Sequence, residues 1–508
     1  MLSKIGRLAG ICVVLAGCAM NPQPLSEQEV SEVLSEDKEL IQQFREPLSR
    51  PIGLHEVMSR AVLNNLEHRV ARMEQAVALG SFELAKYDML PQMDASYGHL
   101  SRNRFNASTS ISVETGEESL EPSTSSEKNR NVGDFSASWN LLDFGVSYYQ
   151  AKQESDRYLI SRESRKRVLS NLLQQARMLY WRAWAAQNTR DEVEKVLAEA
   201  NQAYAEISQV IETRQYTNIL PNLRLKRQLF DLIRELESLT EELNEANIEL
   251  AQVINVPTGS VIRLLGVDAG ESGVEIEKLP IMPRLDEDPE QMEMTALYNS
   301  TELAEEMYNV RIDQAETRKA LLRLLPGIEF SFTSGHDNNK YLVNNNWTEA
   351  GVEVSWNLLN LATTGQVLEN SDLREELSVQ RRLAVNMAVV TKLNLAVYQY
   401  NISLRKLEQA REVKFIDSEI ARHTANAAIS SAASKVESVV TDAAALRTDL
   451  ALLQAYANAQ SSYGAVLVAL GLNPVPETYS NLEMHELTNL IAVYDTTWGS
   501  GNIPLARP

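Results

Sequence analysis

The sequence predicts a mainly α-helical protein with a membrane β-barrel, in which long antiparallel coiled-coil helices continue into four β-strands per chain. Three observations predict this fold class. The chain repeats its own pattern, it contains segments without glycine or proline that are longer than a compact domain needs, and each half has short segments of alternating apolar and polar residues. Because four strands cannot close a barrel alone, several copies are expected to share one.

The first eighteen residues resemble a bacterial export signal that ends in a lipid-attachment site. Lys4 and Arg7 form a basic start, an apolar stretch follows, and Leu15-Ala16-Gly17-Cys18 ends the segment. The stretch is too short to cross a bilayer as a permanent helix. The resemblance implies that residues 1–17 are a lipoprotein signal peptide, that Cys18 carries lipid, and that Ala19 directs the chain to the outer membrane. An ordinary secretory signal with a chance cysteine is the alternative.

Composition limits the classes of function. The formal net charge is −21, whereas a protein that binds nucleic acid needs a concentrated basic face. The one basic run, Arg162 to Arg167, is expected to form a solvated helix face. Cys12 leaves with the signal, and the sequence has no glycine-rich phosphate loop, no His/Cys metal spacing and no paired carboxylates. We therefore expect no enzyme, no nucleic-acid partner, no metal and no cofactor apart from covalent lipid on Cys18.

The chain contains a duplicated half. Leu90-Pro91 is matched by Leu325-Pro326, and the motif Ser-Trp-Asn-Leu-Leu-Asp at 138–143 is matched by Ser-Trp-Asn-Leu-Leu-Asn at 355–360. Each copy reads helix, Leu-Pro break, strand, loop, strand, very long helix, turn, helix. A repeat of this size is not a solenoid period, because solenoid repeats are much shorter.

Three segments lie outside the two copies, and they are punctuated by proline, glycine and acidic residues. They are expected to form a belt around the middle of the helices. The predicted order after the signal peptide is an N-terminal equatorial segment (18–51), the first structural repeat (52–256), an equatorial linker (257–289), the second structural repeat (290–472) and a C-terminal equatorial segment (473–508).

Alternation with a period of two predicts one β-hairpin in each copy, at 92–142 and at 327–359. Apolar residues occupy every second position from Phe135 to Leu141, and the second copy shows the same alternation, whereas the pattern is lost at Gly98. Such segments of about ten residues are typical of transmembrane barrel strands, although a soluble half-buried sheet explains any single strand. An open edge is not tolerated in lipid, so copies must close the barrel together, with eight strands from two copies or twelve from three.

Each copy continues into a helix that is too long for a compact domain. From Gly145 to about Arg214 such a helix would reach roughly 100 Å. Apolar residues step by three and four along it, and the stripe returns after a turn near Gln215 to Pro221, with the second copy turning near Thr424 to Ser434. This repeat predicts two antiparallel coiled-coil hairpins. A bundle core is the alternative to a hollow helical wall.

In their order and spacing, these features resemble the lipoprotein branch of the TolC-like outer-membrane efflux family across essentially the whole mature chain. The stretch from Ile429-Ser430 to Asn473-Pro474 resembles the second hairpin of that branch. The resemblance implies a lipid-anchored homotrimer whose twelve-stranded barrel in outer-membrane lipid continues into a periplasmic tunnel of twelve helices. It also implies two partners, a periplasmic adaptor (membrane fusion) protein and an inner-membrane pump of the RND or ABC type.

The resemblance further implies which residues close and dock the duct. Acidic residues on the inner helix of the second hairpin close the aperture, and Glu437 matches this position, with Asp442 further along. Three symmetry-related carboxylates in a narrow pore repel one another and attract cations, although a solvent-facing Glu near a helix start is the alternative. The tip residues implied to contact the adaptor are Arg214, Gln215, Tyr216, Ala428, Ile429 and Ser430. Pro221 and the missing tip glycine depart from the family pattern.

Two functions therefore fit the sequence. The first is an outer-membrane channel of a tripartite efflux or type I secretion system, passive itself, with cargo chosen by the pump. The second is a structural or adhesive coiled-coil outer-membrane lipoprotein without transport activity. Ion conductance of the purified protein separates the two.

Overall fold

The structure, a computed structural model, describes residues 24–43, 48, 50–119, 121–213, 219–257, 259–265, 279–428, 432–499 and 503–505. Cys18 and five of the predicted tip residues lie outside these ranges, namely Arg214, Gln215, Tyr216, Ile429 and Ser430. Ala428 is the last residue of a helix. Their predicted roles therefore stay predictions.

Helices dominate the chain, and the strands follow the two predicted hairpins. The helices are α1 Glu27–Gln43, α2 Leu54–Asn64, α3 Leu66–Ala85, α4 Leu141–Glu212, α5 Leu220–Val253, α6 Pro289–Asn299, α7 Thr301–Leu322, α8 Leu359–Ala428, α9 Ala432–Ala469 and α10 Met484–Gly499. The strands are β1 Gln92–Ser101, β2 Ala107–Ser108, β3 Ser123–Thr124, β4 Asn129–Asn140, β5 Gly327–Asp337 and β6 Asn346–Ser355. β1 continues through Gly98, where alternation fades, and the small β2–β3 pair in the first loop was not predicted.

The two very long helices are present and pack as coiled-coil hairpins. α4 has 72 residues and α8 has 70, so α4 extends about 108 Å. α5 packs back along α4, α9 packs back along α8, and α9 also packs on α4. The predicted seam of α4 is buried, and its small residues allow the backbones to approach closely. The buried seam residues of α4 are Leu169, Leu172, Ala176, Leu179, Ala183, Ala186, Val193, Ala200 and Ile207.

The basic run Arg162 to Arg167 is not the solvated face that the sequence predicted. Its side chains are half-buried, and they form ion pairs with acidic residues from distant parts of the chain. Arg167 lies 2.8 Å from Glu305 of α7, and Lys166 lies 3.2 Å from Glu477 beyond α9. The prediction was wrong because α7 and the segment after α9 cover this face of α4, and a local pattern carries no sign of that contact.

The middle of α4 is tied to both ends of the chain by a buried ion pair. The Arg177 guanidinium of α4 pairs with Asp495 of α10, and its Nη1 also donates to Gln460 Oε1 of α9 at 3.1 Å. His55 of α2 lies 3.1 Å from the other carboxylate oxygen of Asp495. Burial alone would raise the pKa of the Asp495 carboxyl, but Arg177 and His55 lower it to about 2.

The ion pair predicts a pH dependence of stability. Because the pKa of Asp495 is lower in the folded chain than its ordinary value of 3.8, its contribution is full above about pH 4 and is lost as the pH falls towards 2. That contribution is about 2 kcal/mol. Urea unfolding followed by circular dichroism should therefore show a smaller acid dependence for Asp495→Asn than for wild type. The surface variant Asp191→Asn is the control, and an unchanged acid dependence in Asp495→Asn would contradict the assignment.

Candidate functional site

The four main strands form one open antiparallel sheet in the order β1-β4-β5-β6. In the part of the sheet nearest the helices, the strand register aligns apolar positions of all four strands on one face and polar positions on the other. One apolar row consists of Met93, Ala137, Phe332 and Ala350, and the next polar row consists of Asp94, Ser136, Thr333 and Glu349. A sheet with one apolar and one polar face fits a wall between lipid and water.

The Trp-Asn-Leu-Leu motif joins strands to helices in the same way in both copies. The Trp139 indole N–H donates to the Met89 carbonyl at 3.3 Å, and the Trp356 indole N–H donates to the Leu324 carbonyl at 3.0 Å. Each acceptor directly precedes a Leu-Pro break. The following asparagine caps the next helix, since Asn140 Oδ1 accepts from the Leu142 N–H at 2.9 Å. In each copy, the Trp-Asn-Leu-Leu motif and the Leu-Pro break therefore lie side by side and form one junction between strands and helices.

The sheet and its helices leave two open edges. β1 and β6 are the outer strands, and α3 leads into β1 whereas α8 follows β6. Along the layer α3 packs on α4, α4 on α7 and α7 on α8. Both outer helices carry exposed apolar side chains on their free sides. The exposed apolar side chains of α3 include Leu66, Val70, Met73, Val77 and Leu84. In the half of α8 nearest the sheet they include Leu361, Leu368, Leu377, Leu383 and Met387.

The two predicted gate residues lie near the start of α9 but have different surroundings. Glu437 is exposed, whereas Asp442 is half-buried and accepts from the Ser438 hydroxyl at 3.4 Å. Burial and the nearby Glu199 of α4 raise the pKa of the Asp442 carboxyl, although Ser438 and Lys195 oppose this. Asp442 therefore faces α4 of the first hairpin, while the Glu437 side chain is exposed to solvent.

Ion pairs that join α9 to α5 and to α8 were not predicted from the sequence. Arg447 of α9 lies 3.6 Å from Glu235 of α5 and 3.7 Å from Asp417 of α8. Lys414 of α8 lies 3.4 Å from Asp449 of α9. The Arg447 pairs therefore link α9 to α5 of the first hairpin and to α8 of its own hairpin, and the Lys414 pair adds a second link between α8 and α9. The only sequence signal is a charged residue beside a heptad seam, which is equally common on solvated helix faces.

The structure adds two statements about sites of other kinds. Among the residues that it describes, no helix is both long and apolar enough to cross a membrane. Within the same ranges, no group of three or more His, Cys, Asp or Glu side chains is arranged to hold a metal ion.

Comparison with known proteins gives matches in structure only. No protein-family model and no curated protein matches the sequence. CusC, studied for the conformational changes that accompany folding and transmembrane channel formation, matches with a TM-score of 0.58 and 16% identity over 85% of this chain and 96% of CusC. The open outer membrane channel MtrE of Neisseria gonorrhoeae matches with a TM-score of 0.58 and 13% identity over 82% and 89%. The Campylobacter jejuni CmeC outer membrane channel gives 0.58 and 11% over 86% and 89%.

These likenesses cover most of every chain compared. Their identities are too low to carry a function. The chain therefore has the fold of solved outer membrane channels, which confirms the predicted architecture of long helices with a few strands, while the trimer and its twelve-stranded barrel stay predictions.

Proposed function

We propose that the chain is an outer-membrane channel in which several copies share one barrel and one helical tunnel. The observation that carries the proposal is the open sheet with one apolar face and two unpaired edges. In lipid each unpaired edge would leave backbone N–H and C=O groups without partners, which costs several kcal/mol per group. Pairing β1 of one copy with β6 of the next satisfies both edges at once.

The helices below the sheet support the same assembly. The free apolar stripes of α3 and α8 lie beneath the free edges of β1 and β6, so the contact that joins two sheets also buries both stripes. Such a head-to-tail contact generates a closed ring when the rotation between copies closes, and a closed ring is what a barrel requires. Three copies give twelve strands and form the homotrimer that the sequence resemblance implies.

The remaining parts of the proposal follow from that resemblance. Lipid on Cys18 anchors the chain in the outer membrane, and the long hairpins extend into the periplasm. The tips at residues 214–216 and 428–430 meet a periplasmic adaptor, which connects the channel to an inner-membrane pump of the RND or ABC type. The channel is passive and carries cargo for efflux or secretion. The exposure of Glu437 next to the second tip supports a gate at that end.

Planar-bilayer recording tests the function and the gate together. Purified full-length protein should give stepwise ion conductance, and Glu437→Ala should increase the mean conductance several-fold, because the side chains that narrow the aperture and the hydrogen bonds that hold it closed are removed. Glu412→Ala, at an exposed position of α8, is the matched control and should behave as wild type. Absence of conductance in every variant would contradict the channel function, whereas equal conductance in wild type and Glu437→Ala would contradict only the gate assignment.

A further inference from the structure

The two loops at the outer end of the sheet are joined by a polar network, which we call the loop clamp. The loop clamp lies at the loop end of the sheet, whereas the proposed gate lies near the second hairpin tip, so the clamp plays no part in the gate. On the first loop and the start of β4 the clamp consists of Ser125, Glu127, Arg130 and Asn131. On the end of β5 and the second loop it consists of Asp337, Asn338, Asn339, Lys340 and Asn345.

Asn339 is the centre of the loop clamp. It is only 3% exposed, and its side chain makes hydrogen bonds to the other loop with both polar atoms. Its Nδ2 donates to the Ser125 carbonyl at 2.8 Å, and its Oδ1 accepts from the Glu127 N–H at 3.1 Å. Its own backbone N–H donates to Asp337 Oδ1 at 3.0 Å. A buried amide with every group satisfied fixes the geometry around it, because any displacement leaves buried polar atoms without partners.

Further bonds surround this centre. The Lys340 N–H donates to the Glu127 carboxylate at 3.1 Å, and its ammonium lies 3.2 Å from the same group. The Asn131 N–H donates to Asn338 Oδ1 at 2.7 Å. Arg130 and the buried Asp337 form an ion pair between β4 and β5. The second repeat thus holds the first loop at Ser125 and Glu127, where the loop leads into β4.

The first loop is long enough to matter at the mouth of a channel. It spans residues 102–128, so either arm, if extended, reaches about 40 Å. A tilted twelve-stranded barrel has a diameter of roughly 24 Å, given a strand spacing of about 4.8 Å. A loop released from the clamp could therefore cover the opening.

We propose that Asn339 is a positioning residue that keeps the loop of residues 102–128 clear of the outer mouth. The inference rests on the proposed shared channel, but it concerns the outer end and not the gate. The side-chain amide of Asn339 bridges the two loops, because its Nδ2 donates to the Ser125 carbonyl and its Oδ1 accepts from the Glu127 N–H. A side chain that lacks both groups removes the two buried bonds to residues 125 and 127 and leaves only the exposed Lys340–Glu127 contacts on this arm.

A distance measurement between copies tests this without depending on the gate. A nitroxide label at Ser112→Cys on the first loop reports the separation of the loops by pulsed electron paramagnetic resonance in the purified full-length assembly. We expect a narrow distribution in the otherwise wild-type protein, and a broader distribution with a mean shorter by about 10 Å in Asn339→Ala, within the reach of the freed arm. Glu127→Ala removes only the carboxylate contacts to Lys340 and keeps the backbone bonds to Asn339, so it should give a smaller change of the same kind, while Asn344→Ala, an exposed position of the second loop, should give none.

The outcomes separate the two proposals. If the labelled wild type shows no distances between copies, the shared channel itself fails. If such distances are present and neither Asn339→Ala nor Glu127→Ala alters them, the positioning role of Asn339 is overturned. Single-channel recording adds a functional readout: the Asn339→Ala channel should show brief closures at an unchanged full conductance, and deletion of residues 106–119 in that variant should abolish them.

Discussion

Phe332→Arg is expected to abolish insertion of the barrel. Phe332 lies in the middle of β5, between Ala137 of β4 and Ala350 of β6, on the face where apolar residues from all four strands align. If this face meets lipid, an arginine at mid-depth costs about 2–4 kcal/mol in each copy, so the cost rises with every copy in the ring. Outer-membrane fractionation should show the variant failing to enter the membrane.

The neighbouring residue provides a matched control. Thr333 points to the opposite face, where its cross-strand neighbours are Ser136 and Glu349. An arginine there meets water and a carboxylate, so Thr333→Arg should insert normally. The assignment of faces fails if Thr333→Arg blocks insertion as strongly as Phe332→Arg, because a soluble two-sided sheet would not distinguish lipid from water in this way.

Val77→Asp is expected to break the ring without unfolding the chain. Val77 belongs to the apolar stripe of α3 and is 70% exposed in a single chain, so an aspartate there leaves the fold of one copy intact. In the proposed assembly the same carboxylate would be buried against α8 of the next copy without a partner. This costs about 3 kcal/mol or more per contact, which weakens association at least about a hundredfold.

Size-exclusion chromatography measures the assembly of the variant, and circular dichroism measures its folding. The Val77→Asp protein should keep wild-type helicity, elute as a single copy and conduct no ions. Ala76→Asp is the control, since it adds the same charge one residue away and off the stripe. A Val77→Asp protein that assembles as the wild type does would show that α3 has a different neighbour.

The sequence predicted the repeating elements well, because each depends on local periodicity. Alternation from Phe135 to Leu141 and the heptad stripe that includes Leu179 are properties of short segments, and the structure places both as expected. The Trp-Asn-Leu-Leu motif was recognised as a marker of the repeat. The role of the motif in joining strand to helix was not predicted, because the hydrogen bond from Trp139 to Met89 joins residues on opposite sides of a long loop.

Contacts between distant segments account for what the sequence missed. The Arg162 to Arg167 run was expected to be solvated, yet Glu305 and Glu477 cover it. The bridge from Arg447 to the two hairpins and the loop clamp around Asn339 likewise depend on which segments become neighbours. Charge and polarity alone do not distinguish such residues from a solvated surface.

The central claim is that one channel is built from several copies, and native mass spectrometry of the membrane-extracted protein tests it most directly. The account predicts a single assembly of three lipid-modified chains that persists in detergent and dissociates on heating. A protein that is strictly a single chain under the same mild extraction would contradict the account, because one copy leaves both sheet edges and both apolar stripes uncovered.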